Sequence, residues 1–393
     1  MLRRILIPLL AASALLAAPA SLSATRAQPA LFFALGQTRQ LATSYTPAQI
    51  QQAYDVKSML DRGVDGTGQT IALIELDRFN VADLQEFDAA NQLPDPTIRE
   101  FYPNGKTFAR TAGLETTLDI EWAHALAPGA AIQVYYLKNG QPSASGWRGF
   151  ATALSAAASG GAGTISISFG ACRTSTGYKA VQKALAAALG AGVSVFVSSG
   201  DSGQYPGPRH ECGSKPGVTY PASDPSVVSV GGTSLTLADD NSTLAETAWQ
   251  LSGGGKGSPL RRPSWQMALT LLPGKYRYVP DVAFLGDPST GVAVYFNGRW
   301  GQAGGTSLGS PAWAGIWALI REDAQKAGKQ VGTAPTVLYR VANSPSYVQA
   351  FDDITSGSNG RYKAKPGWDA VTGWGTPRVS GLAASALALS PTP

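Results

Sequence analysis

The stretch GTISISFGACRTSTGYKAVQKALAAALGAGVSVFVSSG, residues 163–200, decides the fold class. It reads as a buried strand, GTISISFG (163–170), a helix, YKAVQKALAAALGAG (178–192), and a second buried strand, VSVFVSSG (193–200). Both strand runs are short, apolar and bounded by glycine, as strands covered on both faces are. A helix between two such strands joins them in parallel, since a tight turn serves only antiparallel pairs. The same alternation runs upstream. TIALIEL (70–76) and AIQVYYL (131–137) read as strands, and VADLQEFDAAN (81–91) and LETTLDIEWAHALA (114–127) as helices. Beyond about residue 200 the chain turns to Gly/Pro-rich loops with short strands, then one clear helix beginning near Ser310. Without internal repeat or natural cut point, residues 45–390 predict one large α/β domain with a doubly wound, mostly parallel sheet flanked by helices.

Composition agrees. Of 393 residues, 44% are hydrophobic and 15% charged, enough apolar material for a full core, which excludes a disordered or fibrous chain. The formal charge of +5 is no nucleic-acid signature, because no Lys/Arg cluster in the body of the chain exceeds two residues. Residues 1–20, MLRRILIPLLAASALLAAPA, have the basic start, apolar run and small-residue end of a secretory signal peptide. The apolar run Ile5–Ala17 is shorter than the roughly 20 residues of a membrane span and contains Pro8. Export is therefore expected, to periplasm or medium, with no membrane attachment after cleavage and a monomer as the default state. Cleavage removes Arg3 and Arg4, so 29 basic against 26 acidic residues leave a mature charge near +3. Residues 21–44 read as a linker or N-terminal arm. Cys172 and Cys212, the only cysteines, are expected to form one disulfide in an oxidising compartment, free thiols being the alternative.

Chemistry must come from few residue types. The two histidines, His124 mid-helix and His210 in a Pro/Gly loop, are expected to be structural, and no phosphate-binding glycine motif follows a strand. In GQAGGTSLGSPAWAGIWALI (301–320) a glycine-rich approach places Ser307 on a tight turn just before a helix, with Pro311 in its first turn. A helix N-terminus favours a nucleophile and developing negative charge, although Ser and Thr also serve as plain helix caps. With histidine scarce, a carboxylate must act as base. Glu115 and Asp119 lie four apart on one helix face with no Lys or Arg between residues 111 and 137, so together in a cleft they would raise one pKa. A solvated acidic face is the ordinary alternative. Asp201, directly after a buried strand, could donate to an oxyanion if protonated, or be a turn aspartate. In DDITSGSNGRYKAKPGWDAVTGWG (352–375), Asp353 and Asp369 frame a Gly-rich loop whose oxygens suit calcium, though not in the helix-loop-helix pattern.

These segments, in this order, resemble the sedolisin family of serine-carboxyl peptidases. The likeness spans residues 45–390 and is carried by YTPAQIQQAYDV, LETTLDIEWAHALAPGA, SISFGAC, VFVSSGDSG, YPASDPSVVSVGGT, YVPDVAFLGDPSTG, GGTSLGSPAWAG and the DDIT…GWDAVTGWGTP run. It implies a subtilisin-like fold with a seven-stranded parallel sheet. It also implies acyl transfer on Ser307, with Glu115 as base, Asp119 orienting Glu115, and Asp201 as the oxyanion acid. One structural calcium ion would be held by the side chains of Asp353 and Asp369 and the backbone oxygens of Ile354, Lys365 and Gly367. The implied activity is hydrolysis of protein or peptide substrates at acid pH, as an endopeptidase or a tripeptidyl-peptidase.

Three departures from the family pattern stand out. Only residues 21–44 separate the signal from the catalytic domain, where most relatives carry a long propeptide, so the chain resembles a prodomain-less member. Glu75 fits a further glutamate that some relatives add to the Glu-Asp network, but Phe169 stands in place of their tryptophan. Lys365 occupies a position often filled by glycine, where only a carbonyl is needed. The short N-terminal segment motivates a second reading, a non-catalytic secreted binding protein on a peptidase scaffold.

Overall fold

The computed structural model describes residues 34–35, 44–105, 112–138, 144–172, 177–206, 212, 216–270 and 272–390. The expected signal peptide and His210 lie outside them. The described residues begin with β1 (Ala34–Leu35) and the short helices α1 (Pro47–Ala53) and α2 (Lys57–Leu60). It continues through β2 (Thr70–Glu75), α3 (Val81–Asn91), β3 (Ile98–Phe101), α4 (Leu114–Leu126), β4 (Ala131–Tyr136) and α5 (Ala144–Ser159). Then come β5 (Thr164–Ile167), α6 (Tyr178–Gly190), β6 (Ser194–Ser198), β7 (Val228–Leu237) and β8 (Thr243–Ala248). β9 (Gly255–Arg261) and β10 (Tyr276–Val279) pair apart from the main sheet, which β11 (Val282–Leu285) rejoins. The hairpin β12 (Val292–Phe296) and β13 (Arg299–Ala303) leads into α7 (Thr306–Lys326). α8 (Ala334–Ala342), α9 (Tyr347–Ala350), β14 (Phe351–Asp352), β15 (Thr376–Pro377) and α10 (Val379–Ala388) close the chain.

The main sheet has the order β11-β7-β6-β5-β2-β4-β3 with every neighbouring pair parallel, and β8 adds an antiparallel partner to β7. Among the described residues the parallel part thus has the seven strands expected. Strand alternation divides the core. Ile71, Leu73, Val134, Tyr136 and Phe196 face a cluster with Trp122 of α4 and Trp313 and Trp317 of α7. Ala72, Ile74, Ile165, Ile167, Val195 and Val197 face the opposite cluster, with Leu154 of α5 and Leu185 of α6. The same alternation puts Glu75 on the α4/α7 face. Ser166 and Ser168 also fall on that face, opposite to Ile165 and Ile167. α7 is buried along nearly its whole length, as its apolar circumference requires.

Candidate active site

The strand order turns at β2: the chain lays β4 and β3 on one side of it and β5, β6 and β7 on the other. In open parallel sheets the crevice outside the carboxyl ends of strands at such a point is where ligands bind. Glu75 ends β2, Ser168 follows β5, and Ser199, Gly200 and Asp201 follow β6. Two helix N-termini complete the ring. Glu115 sits in the first turn of α4 with Asp119 one turn on, and Ser307 in the first turn of α7.

Here the structure corrects the sequence reading. α7 begins at Thr306, not near Ser310, so Ser307 is inside the first turn and Pro311 lies beyond it. The reason is tertiary. Gly305 takes φ +107°, a left-handed conformation open to glycine, and the Asp201 carboxylate caps the helix from another segment. Its Oδ1 accepts from Thr306 N at 2.7 Å and Thr306 Oγ1 at 2.8 Å, and Thr306 Oγ1 accepts from Gly200 N at 3.0 Å. Ser310 Oγ reaches the carbonyls of Phe196 (2.9 Å) and Ile167 (3.3 Å), tying α7 to β6 and β5 at fixed depth. Ser307 is buried, and its Oγ donates to the Ser168 carbonyl at 3.1 Å.

The solvated-face alternative for Glu115 and Asp119 does not hold, because their carboxylates point inward. Glu115 leaves part of its stem accessible, but both its carboxylate oxygens are buried and unbonded. The nearby Ser307 hydroxyl acts on it without a hydrogen bond of good geometry, its proton going to Ser168 instead. Burial above all pushes the Glu115 carboxyl well up, the Ser307 hydroxyl pulls it down, and the charges of Glu75, Asp201 and Asp77 push it further up. Asp119, fully buried, is likewise pushed well up, by burial first and then by Glu75 and Glu115, while the Ser168 hydroxyl, 2.6 Å from Asp119 Oδ2, holds it down. Glu75 is raised by burial to about 8, against the hydrogen bond from Thr116 at 3.0 Å and the downward pull of the neighbouring Asp119 carboxyl. Among the described residues no ion pair reaches Glu75, Glu115 or Asp119. Acidic groups so gathered, without a cation, hold protons among themselves. Phe169 packs its ring on Phe150 at 5.1 Å and brings no hydrogen-bonding group with which to extend the network. Ser168, Thr306 and Thr116 escaped the sequence reading; only Ser168 had a signal, its place in SISFG at a strand end.

His124 is structural, as expected. It is fully buried in α4, with Nε2 2.7 Å from the Pro94 carbonyl and 3.5 Å from Asp88, and burial lowers its pKa to about 4. Cys172 and Cys212 are joined in the expected disulfide.

The loop of Asp353 and Asp369 draws two carboxylates to one turn. Asp353 Oδ2 accepts from Gly367 N at 2.8 Å, and Asp369 from Lys365 N at 3.1 Å and from Val371 N and Thr372 N. Both carboxylates also press on the Tyr347 hydroxyl, raising its pKa behind the larger effect of burial. Asp369 is buried, which raises it to about 6, and has no ion pair among the described residues. Two carboxylates on one turn, with no ion pair to either among the described residues, are hard oxygen donors of the kind calcium takes. The Lys365 side chain is exposed and leaves the turn to its backbone.

Comparison with known proteins agrees with this fold. The subtilase family profile matches residues 90–375. Kumamolisin of Bacillus sp. strain MN-32 is 34% identical over 365 residues, covering 85% of this chain and 62% of its own. Sedolisin of Pseudomonas sp. strain 101 is 32% identical over 376 residues, covering 87% and 61%. The chain thus spans under two thirds of the length of these relatives. Human tripeptidyl-peptidase 1 is 28% identical over 377 residues, covering 86% of this chain and 63% of its own. The solved structure of Pseudomonas sedolisin, a serine-carboxyl proteinase complexed with pseudo-iodotyrostatin, superposes with TM-score 0.77 at 28% identity. It covers 88% of this chain and 98% of that one. On its sheet, its site and these likenesses, the chain belongs to the subtilase family and, within it, to the sedolisin group.

Proposed function

We propose that the chain is a serine-carboxyl peptidase that hydrolyses protein or peptide substrates at acid pH. The observation that carries this reading is the meeting of a helix-N-terminal serine with inward-facing carboxyls that have no cation beside them. Ser307 Oγ attacks the scissile carbonyl while its proton passes to Glu115, oriented by Asp119. The oxyanion is received by a protonated Asp201 and by the Ser307 N–H, which, like all first-turn amides, has no carbonyl one turn back. The leaving amine takes the proton from Glu115, and water then hydrolyses the acyl-enzyme. Acid pH follows from mutual repulsion. The first ionisation in the cluster supplies the base, and its charge keeps Asp201 protonated; a second ionisation at higher pH removes the oxyanion donor.

Calcium would be held by Asp353 and Asp369 with the backbone oxygens of Ile354, Lys365 and Gly367, and would fix the 352–375 loop without taking part in the reaction. Chelation is expected to lower the melting temperature of the folded chain; an unchanged melt would count against the site. We further propose that the chain is exported and acts as a monomer. Among the described residues no helix is long and apolar enough to cross a membrane. The test of the activity is hydrolysis of acid-denatured protein from pH 2.5 to 7 with calcium present, beside Ser307→Ala. Cleavage in the acid range that Ser307→Ala abolishes is the expected result. A folded chain inactive throughout that range would favour a non-catalytic binding protein.

A further inference from the structure

The hydroxyl of Ser168 stands between two acceptors on different elements. It lies 2.6 Å from Asp119 Oδ2 on α4 and 3.2 Å from the Ser307 carbonyl on α7. The second contact has its origin in the sequence. Within a helix the Ser307 carbonyl would accept from the N–H four residues on, and that residue is Pro311, which has none. A buried carbonyl left open in this way needs another donor. Ser168, itself buried, brings the hydroxyl that reaches it.

That hydroxyl has one hydrogen and cannot satisfy both acceptors at once. With Asp119 ionised, the hydrogen goes to the carboxylate. With Asp119 protonated, the acid donates to Ser168 Oγ and the hydrogen turns to the Ser307 carbonyl, pinning the first turn of α7. The Ser168 backbone carbonyl meanwhile accepts from Ser307 Oγ at 3.1 Å, so residue 168 meets the nucleophile through side chain and backbone alike. We propose that Ser168 is a positioning residue that ties the protonation of Asp119 to the backbone of the nucleophile, through a donor slot that Pro311 opens. The proposal rests on the peptidase reading above and adds a residue to it.

The experiment measures kcat and KM from pH 2.5 to 7, with calcium, for the wild type, Ser168→Ala and Ser168→Thr. Ser168→Ala is expected to lower kcat by about tenfold to a hundredfold, the worth of one hydrogen bond to a charged group. KM should stay within about twofold, since no substrate contact is lost. The acid limb should move up by about one pH unit, because the hydroxyl stabilises the ionised form of Asp119. Ser168→Thr, which keeps a hydroxyl on the same carbon, should recover both. Pro311→Ala supplies an N–H to the Ser307 carbonyl, so Ser168→Ala should cost less kcat in that background than alone. Should Ser168→Ala fail to fold, Ser168→Cys, of similar shape with a weak donor, carries the same expectations. Unchanged kcat and limb overturn the proposal. So does a loss with an unmoved limb, or one that Ser168→Thr does not recover, since either makes Ser168 merely structural. A folded but inactive wild type overturns the peptidase reading and this proposal with it; an active wild type indifferent to Ser168→Ala overturns the proposal alone.

Discussion

Asp201 holds the start of α7 through Oδ1, while its other oxygen lies beside Gly305, 2.8 Å from where a Cβ there would sit. In the proposed mechanism one carboxyl group both caps the helix and donates to the oxyanion. The two duties separate by substitution. Asp201→Ala removes both and is expected to lower kcat by at least about a hundredfold, the range seen when an oxyanion donor is lost. Asp201→Asn keeps an acceptor for Thr306 and a donor that does not titrate. It should retain more activity than Asp201→Ala and flatten the fall in rate toward neutral pH. Equal pH profiles for wild type and Asp201→Asn would show that Asp201 is not the group whose ionisation silences the enzyme. At this scale the sequence showed Ser307, Glu115, Asp119 and Asp201 as candidates. It did not show Ser168 or Thr306, whose roles depend on carbonyls and carboxylates more than a hundred residues away or on another element.

At the scale of elements, β2, β4, β5 and β6 with α3, α4 and α6 were legible because each of these strands is buried and reads as an uninterrupted apolar run, whereas α5 was not read. The strands that complete the sheet were not. β3 is a half-exposed edge strand, and β7 carries Gly231 and Gly232 within the Gly-rich region beyond residue 200, where short strands were expected but not placed. Those glycines answer to packing: a Cβ on Gly232 would lie 2.8 Å from the Trp249 ring, and one on Gly231 2.7 Å from Pro280. The start of α7 was misplaced for a related reason, since the glycine pair before it is a turn stabilised by a distant carboxylate. Gly305→Ala tests that turn. An alanine would be strained at φ +107° and would press on Asp201 Oδ2. A stability loss of about 1–3 kcal/mol in denaturant melts is expected, with a kcat deficit of at least about tenfold. Full activity in Gly305→Ala would mean that the Asp201–α7 geometry is not critical.

Over the whole molecule, buried acids should make the folded chain an acid-adapted one. Burial raises Asp88 to about 7, with Asp95 adding to it, Asp224 to about 6 and Glu75 to about 8; Glu115, Asp119 and Glu121 are raised as well. Each folded value lies above the unfolded one of about 4, so from about pH 4 to 8 the folded chain holds protons that the unfolded chain has lost. Their contribution to stability is present at acid pH and is lost as pH rises through the folded values. His124, lowered to about 4, works the other way: its contribution grows as pH rises from about 4 to 6.5, a smaller effect from a single group. The melting temperature is therefore expected to be highest near pH 4 to 5 and to fall steadily toward pH 8. A melting temperature that rises from pH 5 to 8 would show that these carboxyls are not protonated in the folded state.

The most direct measurement of the central claim is to trap the covalent intermediate. The wild-type chain turning over a peptide ester at about pH 4, where the serine-carboxyl cycle should run, is quenched in strong acid, digested and mapped by mass spectrometry. An acyl group on Ser307 in the wild type and none in Ser307→Ala is the expected result. Turnover with no acyl group on Ser307, or with one on another residue, would contradict it.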